Sequence, residues 1–137
     1  MLLDETIGAN LSILVVDDDT FIQEVMNESL QQLGFRDIQS AGNGREALRL
    51  LDKMTQMPDF LICDLFMPDM DGVEFLEQLG KQHYTGAVIV VSGVNSDVLR
   101  IARDIALHDG LRVIGTFLKP LTRHTLALVL APHRKGH

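Results

Sequence analysis

The sequence predicts one α/β domain, a doubly wound (βα)5 unit with a five-stranded parallel sheet in the order 2-1-3-4-5. Three observations predict it. Short β-branched apolar runs alternate with longer segments whose apolar residues recur at helical spacing. Strict alternation of this kind implies right-handed crossovers and helices on both faces of a parallel sheet. Three of the runs are apolar throughout while one alternates with polar residues, which separates central strands from an edge.

The elements follow in order. Residues 11–16, LSILVV, form the first strand, and residues 21–33 the first helix, closed by Gly34. Residues 36–41, RDIQSA, alternate and form the edge strand; Asn43 then caps a helix over 45–54. The run FLIC at 60–63 is the third strand, followed by a turn rich in Pro and Gly and a helix over 73–81. AVIVV at 87–91 is the fourth strand, with a helix over 98–107 closed by Gly110. Residues 111–118 form the fifth strand and 122–130 the last helix. The domain thus spans 11–131, between an N-terminal extension at 1–10 and a tail or linker stub at 132–137.

Composition narrows the function classes. At 137 residues and 46% hydrophobic, the chain has the size and make-up of one globular domain. A net charge of −7 without a basic stripe argues against nucleic-acid binding by this chain. No purely apolar run, Ala87 to Val91 included, approaches the roughly 20 residues of a membrane span. The acidic N-terminus, MLLDETIGANLS, does not read as a secretory signal, so the expected location is cytoplasmic, off the membrane. Cys63 is the one cysteine, which excludes an intrachain disulfide, and its place inside FLIC marks a buried small hydrophobe.

The polar residues fall at strand ends. In an open α/β sheet ligands bind beyond the carboxyl ends of the strands, where strand order reverses. The first strand ends in Asp17, Asp18 and Asp19, the third in Asp64, the fourth in Ser92 and the fifth in Lys119. Carboxylates about 4 Å apart repel by roughly 4 kcal/mol per pair at an effective dielectric of about 20. One lysine cannot balance three acids. A hard divalent cation with oxygen ligands balances them, and Mg²⁺ sits on one or two carboxylates while keeping water for a phosphate to replace. Such a site suits phosphoryl transfer. Asp64, the lone acid at a central strand end, is the candidate nucleophile. Asp17 and Asp18 are the candidate metal holders, and Ser92 and Lys119 the candidate partners of phosphoryl oxygens.

LVVDDD at 14–19, LICDLFMPDMDG at 61–72, VIVVSG at 88–93 and FLKP at 117–120 together resemble the receiver domain of two-component response regulators, CheY-like in fold, from about Ser12 to Leu130. The resemblance implies a phosphoacceptor at Asp64. It implies Mg²⁺ held by Asp17 largely through water, by Asp18 and Asp64 directly, and by the backbone carbonyl of Phe66. Ser92 matches the switch hydroxyl and Lys119 the phosphate-pairing lysine, with a cis bond to Pro120. The expected function is Mg²⁺-dependent acceptance of a phosphoryl group from a sensor histidine kinase, which switches an output domain or partner protein; the chain is a signalling module and not an enzyme. The segment LRVIGTFLKPLT at 111–122 also resembles receivers fused to EAL-type cyclic-di-GMP phosphodiesterases, an output absent from these residues. A homodimer is among the assemblies the resemblance allows. One departure stands out: three residues before the lysine, where receivers place a switch aromatic, is Thr116, with Phe117 one step later. Phe66 and Val94, each two residues beyond a site residue, offer no polar group to orient a hydrolytic water.

Other acids read differently. Asp19 fits an N-cap, and Asp69 and Asp71 fit turn and cap chemistry. The five histidines show no ligand spacing and read as solvated. A haloacid dehalogenase-type phosphatase, with DxDx[TV] after its first strand, is the rival reading of Asp17 to Phe21; it leaves LICDLFMPDMDG and FLKP unexplained.

Overall fold

The computed structural model describes residues 7–66, 71–93 and 96–133. Five strands, β1 Ser12–Val16, β2 Asp37–Ala41, β3 Phe60–Asp64, β4 Ala87–Ser92 and β5 Arg112–Leu118, alternate with five helices, α1 Thr20–Gln32, α2 Gly44–Lys53, α3 Gly72–Lys81, α4 Ser96–His108 and α5 Arg123–Leu130. The strands are parallel in the order β2-β1-β3-β4-β5, as the sequence predicts. Element ends differ from the expected ones by one or two residues. Among the described residues no helix is long and apolar enough to cross a membrane.

The pattern of burial explains the strand order. β3 and β4 are buried at every position, β1 at all but its first, and β2 alternates from exposed to buried, as an edge must. Alternate side chains feed two clusters. Leu14, Val16, Leu61, Cys63, Val88 and Val90 pack under α2, α3 and α4. Ile13, Val15, Ile62, Ile89 and Val91 pack under α1 and α5. Each fully buried Leu, Ile or Phe contributes about 1.5–3 kcal/mol of transfer free energy, so these layers fix the strand ends against considerable local cost. The packed body also reaches back into the N-terminal segment: Ile7 is buried against the α1–α5 cluster, and the Gly8 amide donates to the Leu33 carbonyl at 2.8 Å.

Helix ends follow local chemistry. Asp19, Asn43, Asp71 and Thr122 each cap a helix N-terminus with a side-chain oxygen. Three helices close in the same way, with an amide reaching back five residues over a left-handed residue: Phe35 to Leu30 over Gly34, Tyr84 to Leu79 over His83, and Leu111 to Ala106 over Gly110. The glycines are legible in the sequence; His83, at φ 59°, is not, because histidine occupies left-handed positions far less often than glycine does. His133 departs from the solvated reading: it is partly buried, with its ring edge-on to Phe60 at 6.4 Å.

A Cβ at position 110 would meet no atom within 4 Å, so Gly110→Ala isolates the conformational cost of φ 87°. That variant is expected to lose about 1 kcal/mol, and His83→Gly to gain about 0.5 kcal/mol. Urea unfolding with an unchanged slope checks both.

Candidate functional site

The carboxyl ends of β1, β3, β4 and β5 bring the predicted residues to one rim. Asp17 follows β1, Asp64 closes β3, Ser92 closes β4 and Lys119 follows β5. Asp64 stands opposite Val91 in the ladder, so Ser92 lies one step beyond it, and Ser92 is wholly buried. The Lys119 amide donates to the Ser92 carbonyl at 2.9 Å, which ties the ends of β4 and β5 together.

One ammonium serves two buried acids. Lys119 Nζ lies 2.9 Å from Asp17 Oδ2 and 3.2 Å from Asp64 Oδ2. The remaining oxygens take backbone donors: Asp17 Oδ1 accepts from the Asp19 amide at 2.9 Å, and Asp64 Oδ1 from the Phe66 amide at 3.3 Å. Asp17 and Asp64 are each only 4% exposed, whereas Asp18 faces solvent. Carboxylate oxygens of Asp17, Asp18 and Asp64 nevertheless lie within 4.8 Å of one another. Asp19 is not one of this group; its side chain accepts from the Phe21 and Ile22 amides and caps α1.

Below the acids the wall is apolar. Val15, Ile22, Met26, Ile62, Val91 and Leu121 bound a cavity of about 50 Å³. A larger cleft, about 410 Å³, lies at the opposite pole among Ser12, Asp37, Lys53 and Pro58, away from the acids. The apolar wall sets the titration. Burial, joined by the charge of Asp17, raises the Asp64 carboxyl above its ordinary value, against the opposing pull of Lys119 and the Phe66 amide. Burial also works against the Lys119 ammonium, but the hydrogen bond and charge of Asp17, with those of Asp64, outweigh it and hold its pKa up. Burial and the charges of Asp64 and Asp17 push the neighbouring Cys63 thiol well above its ordinary value, so it is an inert core residue.

Local geometry around β3 has a steric cause. The Gly72 amide donates to the Leu65 carbonyl at 2.9 Å, and a Cβ on Gly72 would run into the Asp64 carbonyl and lie 2.6 Å from Leu65 Cα. Glycine is what lets α3 start against the site. Asp71 caps α3 by accepting from the Glu74 amide at 2.9 Å. Asp69 and Val94 lie outside the described residues. The Lys119–Pro120 bond is cis, as expected.

Two adjacent residues of β5 point to opposite faces. Thr116 pairs with Val90, whose side chain belongs to the cluster beneath α4; Phe117 pairs with Val91 and packs into the α1–α5 cluster. A bulge sets this parity: Val88 pairs with Val113 and Ile89 with Gly115, so Ile114 is an extra residue. Two features of the site were not read from the sequence. One is this bulge, whose signal was a glycine inside a strand. The other is Gln23 on α1, whose side-chain amide donates to the Asp17 carbonyl at 2.6 Å and the Ala41 carbonyl at 3.2 Å.

A raised carboxyl has a defined consequence for stability. Asp64 binds its proton more tightly folded than unfolded, so its contribution is full below the ordinary carboxylate range and is lost as pH rises through the raised folded value. Asp64→Asn removes that loss. In a chelator the variant is therefore expected to melt above the wild type, by a gap that is small at about pH 4 and widens toward about pH 7. A lower melting temperature for the variant at neutral pH contradicts this.

Comparison with known proteins agrees with this geometry. Residues 13–130 match the response regulator receiver domain. A probable C4-dicarboxylate response regulator, DctR, of Bacillus subtilis (strain 168) is 36% identical over 124 residues, covering 90% of this chain and 52% of that protein. A response regulator from Colwellia psychrerythraea of known crystal structure is 32% identical, with a TM-score of 0.75 over 89% of this chain and 94% of that one. CheY of Borrelia burgdorferi, solved in complex with CheX, BeF3 and Mg, shares the fold at 23% identity, with a TM-score of 0.78 over 91% of this chain and 94% of that one. The chain spans about half, or less, of the length of the curated relatives it matches. Motifs, strand order and rim chemistry converge with these likenesses: the chain belongs to the response regulator receiver domain family.

Proposed function

We propose that Asp64 is the residue this receiver domain phosphorylates, and the convergence of Asp17, Asp18 and Lys119 on its carboxylate is the observation that carries the reading. The donor is a phosphohistidine of a sensor histidine kinase, or a small acyl phosphate such as acetyl phosphate. An Asp64 carboxylate oxygen bonds to phosphorus as the bond from phosphorus to the imidazole nitrogen breaks. The nitrogen leaves with the electron pair, and an acyl phosphate remains. Lys119 and Ser92 take phosphoryl oxygens.

The donor set fits Mg²⁺. All three side chains offer oxygen, and with the lysine they leave two negative charges for a divalent ion to balance. One carboxylate oxygen from each of the three acids lies within 4.8 Å of the others, a cluster of hard oxygen donors of the kind Mg²⁺ takes. Asp18 and Asp64 would hold the ion directly, with the Phe66 carbonyl, and Asp17 through water. When bound, Mg²⁺ supplies charge compensation for the phosphoryl oxygens.

Drawing Lys119 toward a phosphoryl group weakens its pairing with Asp17 and biases an existing balance between conformations of the β5 and α4 face. That change is read by an output domain or a partner. The likeness of residues 111–122 to receivers joined to EAL phosphodiesterases supports an output of that type, on the same polypeptide or another, and a homodimer is an alternative readout.

Incubation of the purified chain with acetyl phosphate and Mg²⁺ is expected to add one phosphoryl mass to a peptide containing Asp64, and to add none in Asp64→Asn. Label on any other residue of the wild type overturns the assignment. Phe66 is 48% exposed and apolar, so it cannot orient a water onto the acyl phosphate. The phosphorylated chain is expected to outlast the scale of seconds, and a polar residue at position 66 to shorten its life. Decay within seconds that Phe66→Asn leaves unchanged would refute this.

A further inference from the structure

We propose that Gln23 is a positioning residue for the acidic cluster: its side-chain amide fixes the peptide between Asp17 and Asp18 so that both carboxylates face Asp64. The inference rests on the metal-assisted phosphorylation reading above.

β1 and β2 run in register as far as Val16 and Ala41. One further ladder bond, from the Asp17 amide to the Ala41 carbonyl at 3.0 Å, ends the pairing. Beyond it the chain leaves the sheet to enter α1, and the Asp17 carbonyl has no strand opposite it. Gln23 supplies what the sheet does not. Its Nε2 donates to the Asp17 carbonyl at 2.6 Å and, at 3.2 Å, to the same Ala41 carbonyl that receives the last ladder bond. A single side chain thus clamps the ends of both strands.

The bond closes a ring. From the Asp17 carbonyl it runs through Gln23 into α1; the Gln23 amide donates back to the Asp19 carbonyl at 3.0 Å; and the Asp19 amide donates to Asp17 Oδ1 at 2.9 Å. Turning the peptide between Asp17 and Asp18 would break the 2.6 Å bond. Asp17 has other restraints, since Lys119 and the Asp19 amide hold its carboxylate. Asp18 has none: among the described residues its side chain makes no hydrogen bond or ion pair, so the placement of its backbone sets where its carboxylate can reach. The clamp therefore acts chiefly on the one acid that nothing else aims. Outer groups that orient ligands in this way alter metal affinity by about 10–100-fold when removed.

The test is a calorimetric titration of the purified chain with Mg²⁺ alone, beside urea unfolding in a chelator. Gln23→Leu keeps the bulk and removes the donor; Gln23→Asn keeps an amide too short to reach, and carries the test should the leucine variant not fold. Both are expected to bind Mg²⁺ about tenfold more weakly than wild type, whereas Gln23→Arg, which restores a donor of sufficient reach, stays within about threefold. A purely structural role predicts a lower urea midpoint in all poorly fitting variants with Mg²⁺ affinity unchanged, and that result overturns the proposal. A wild-type chain that binds no Mg²⁺ overturns it together with the metal reading, whereas binding by wild type and Gln23→Leu with equal affinity removes the positioning role alone.

Discussion

Everything at this rim follows from holding acids closer together than their charges prefer. Carboxylates within 4.8 Å repel by roughly 3 kcal/mol per pair at an effective dielectric of about 20, and one ammonium serves two of them. Free chains would relieve the strain by moving apart. These cannot, because Asp64 closes a strand buried at every position, and Asp17 follows one whose last four residues are buried. The Val, Leu, Ile and Phe residues of these strands each contribute about 1.5–3 kcal/mol of burial, enough together to offset the repulsion. The same apolar wall that holds the acids in place also strips water from Asp64 and raises its pKa. Rigidity and electrostatic tension have one source.

That tension makes the site responsive. An arrangement short of positive charge gains from a divalent cation, and a cation with open positions invites a phosphoryl group whose oxygens bring charge of their own. Lys119 divides its ammonium between two partners, Asp17 and Asp64. Its amide already bonds the Ser92 carbonyl, so displacement of its side chain acts at the point where β4 and β5 are joined. In the proposed reading, such a displacement would load an edge strand rather than the buried centre. β5 is the element able to yield: its residues are intermediate or exposed, whereas those of β3 and β4 are buried throughout.

Most of the fold was legible because period, burial and punctuation agree. LSILVV, FLIC and AVIVV carry no polar residue but one serine, so two buried faces are the only environment that suits them. The rim was legible for a related reason: an ionisable residue directly after such a run has to lie at its end. What escaped was set by tertiary contact. Nothing in the composition of α1 shows that Gln23 reaches across to two strand ends, since one polar residue on an amphipathic helix looks like any other. His83 adopts a left-handed conformation where the chain turns from α3 into β4, a position that glycine marks far more often than histidine. The bulge at Ile114 had a signal in Gly115, but a glycine in a strand does not say which way the register shifts.

The bulge decides which side chains of β5 face α4. Side chains alternate along a strand, so one inserted residue exchanges the faces of all that follow. Past Ile114, Thr116 takes the α4 side and Phe117 the α5 side, where its ring lies over Gly115; a Cβ there would stand 2.5 Å from Phe117 Cε2 and 3.1 Å from Val129 Cγ2. The aromatic of β5 is thus packed against α5 and cannot swing toward α4 without crossing its own strand. A hydroxyl, small enough to change partners without repacking a core, occupies the α4 side instead. The Ser92 carbonyl is joined to β5 by the Lys119 amide, and the β5 side chain on the α4 side beside it is that of Thr116, not an aromatic ring.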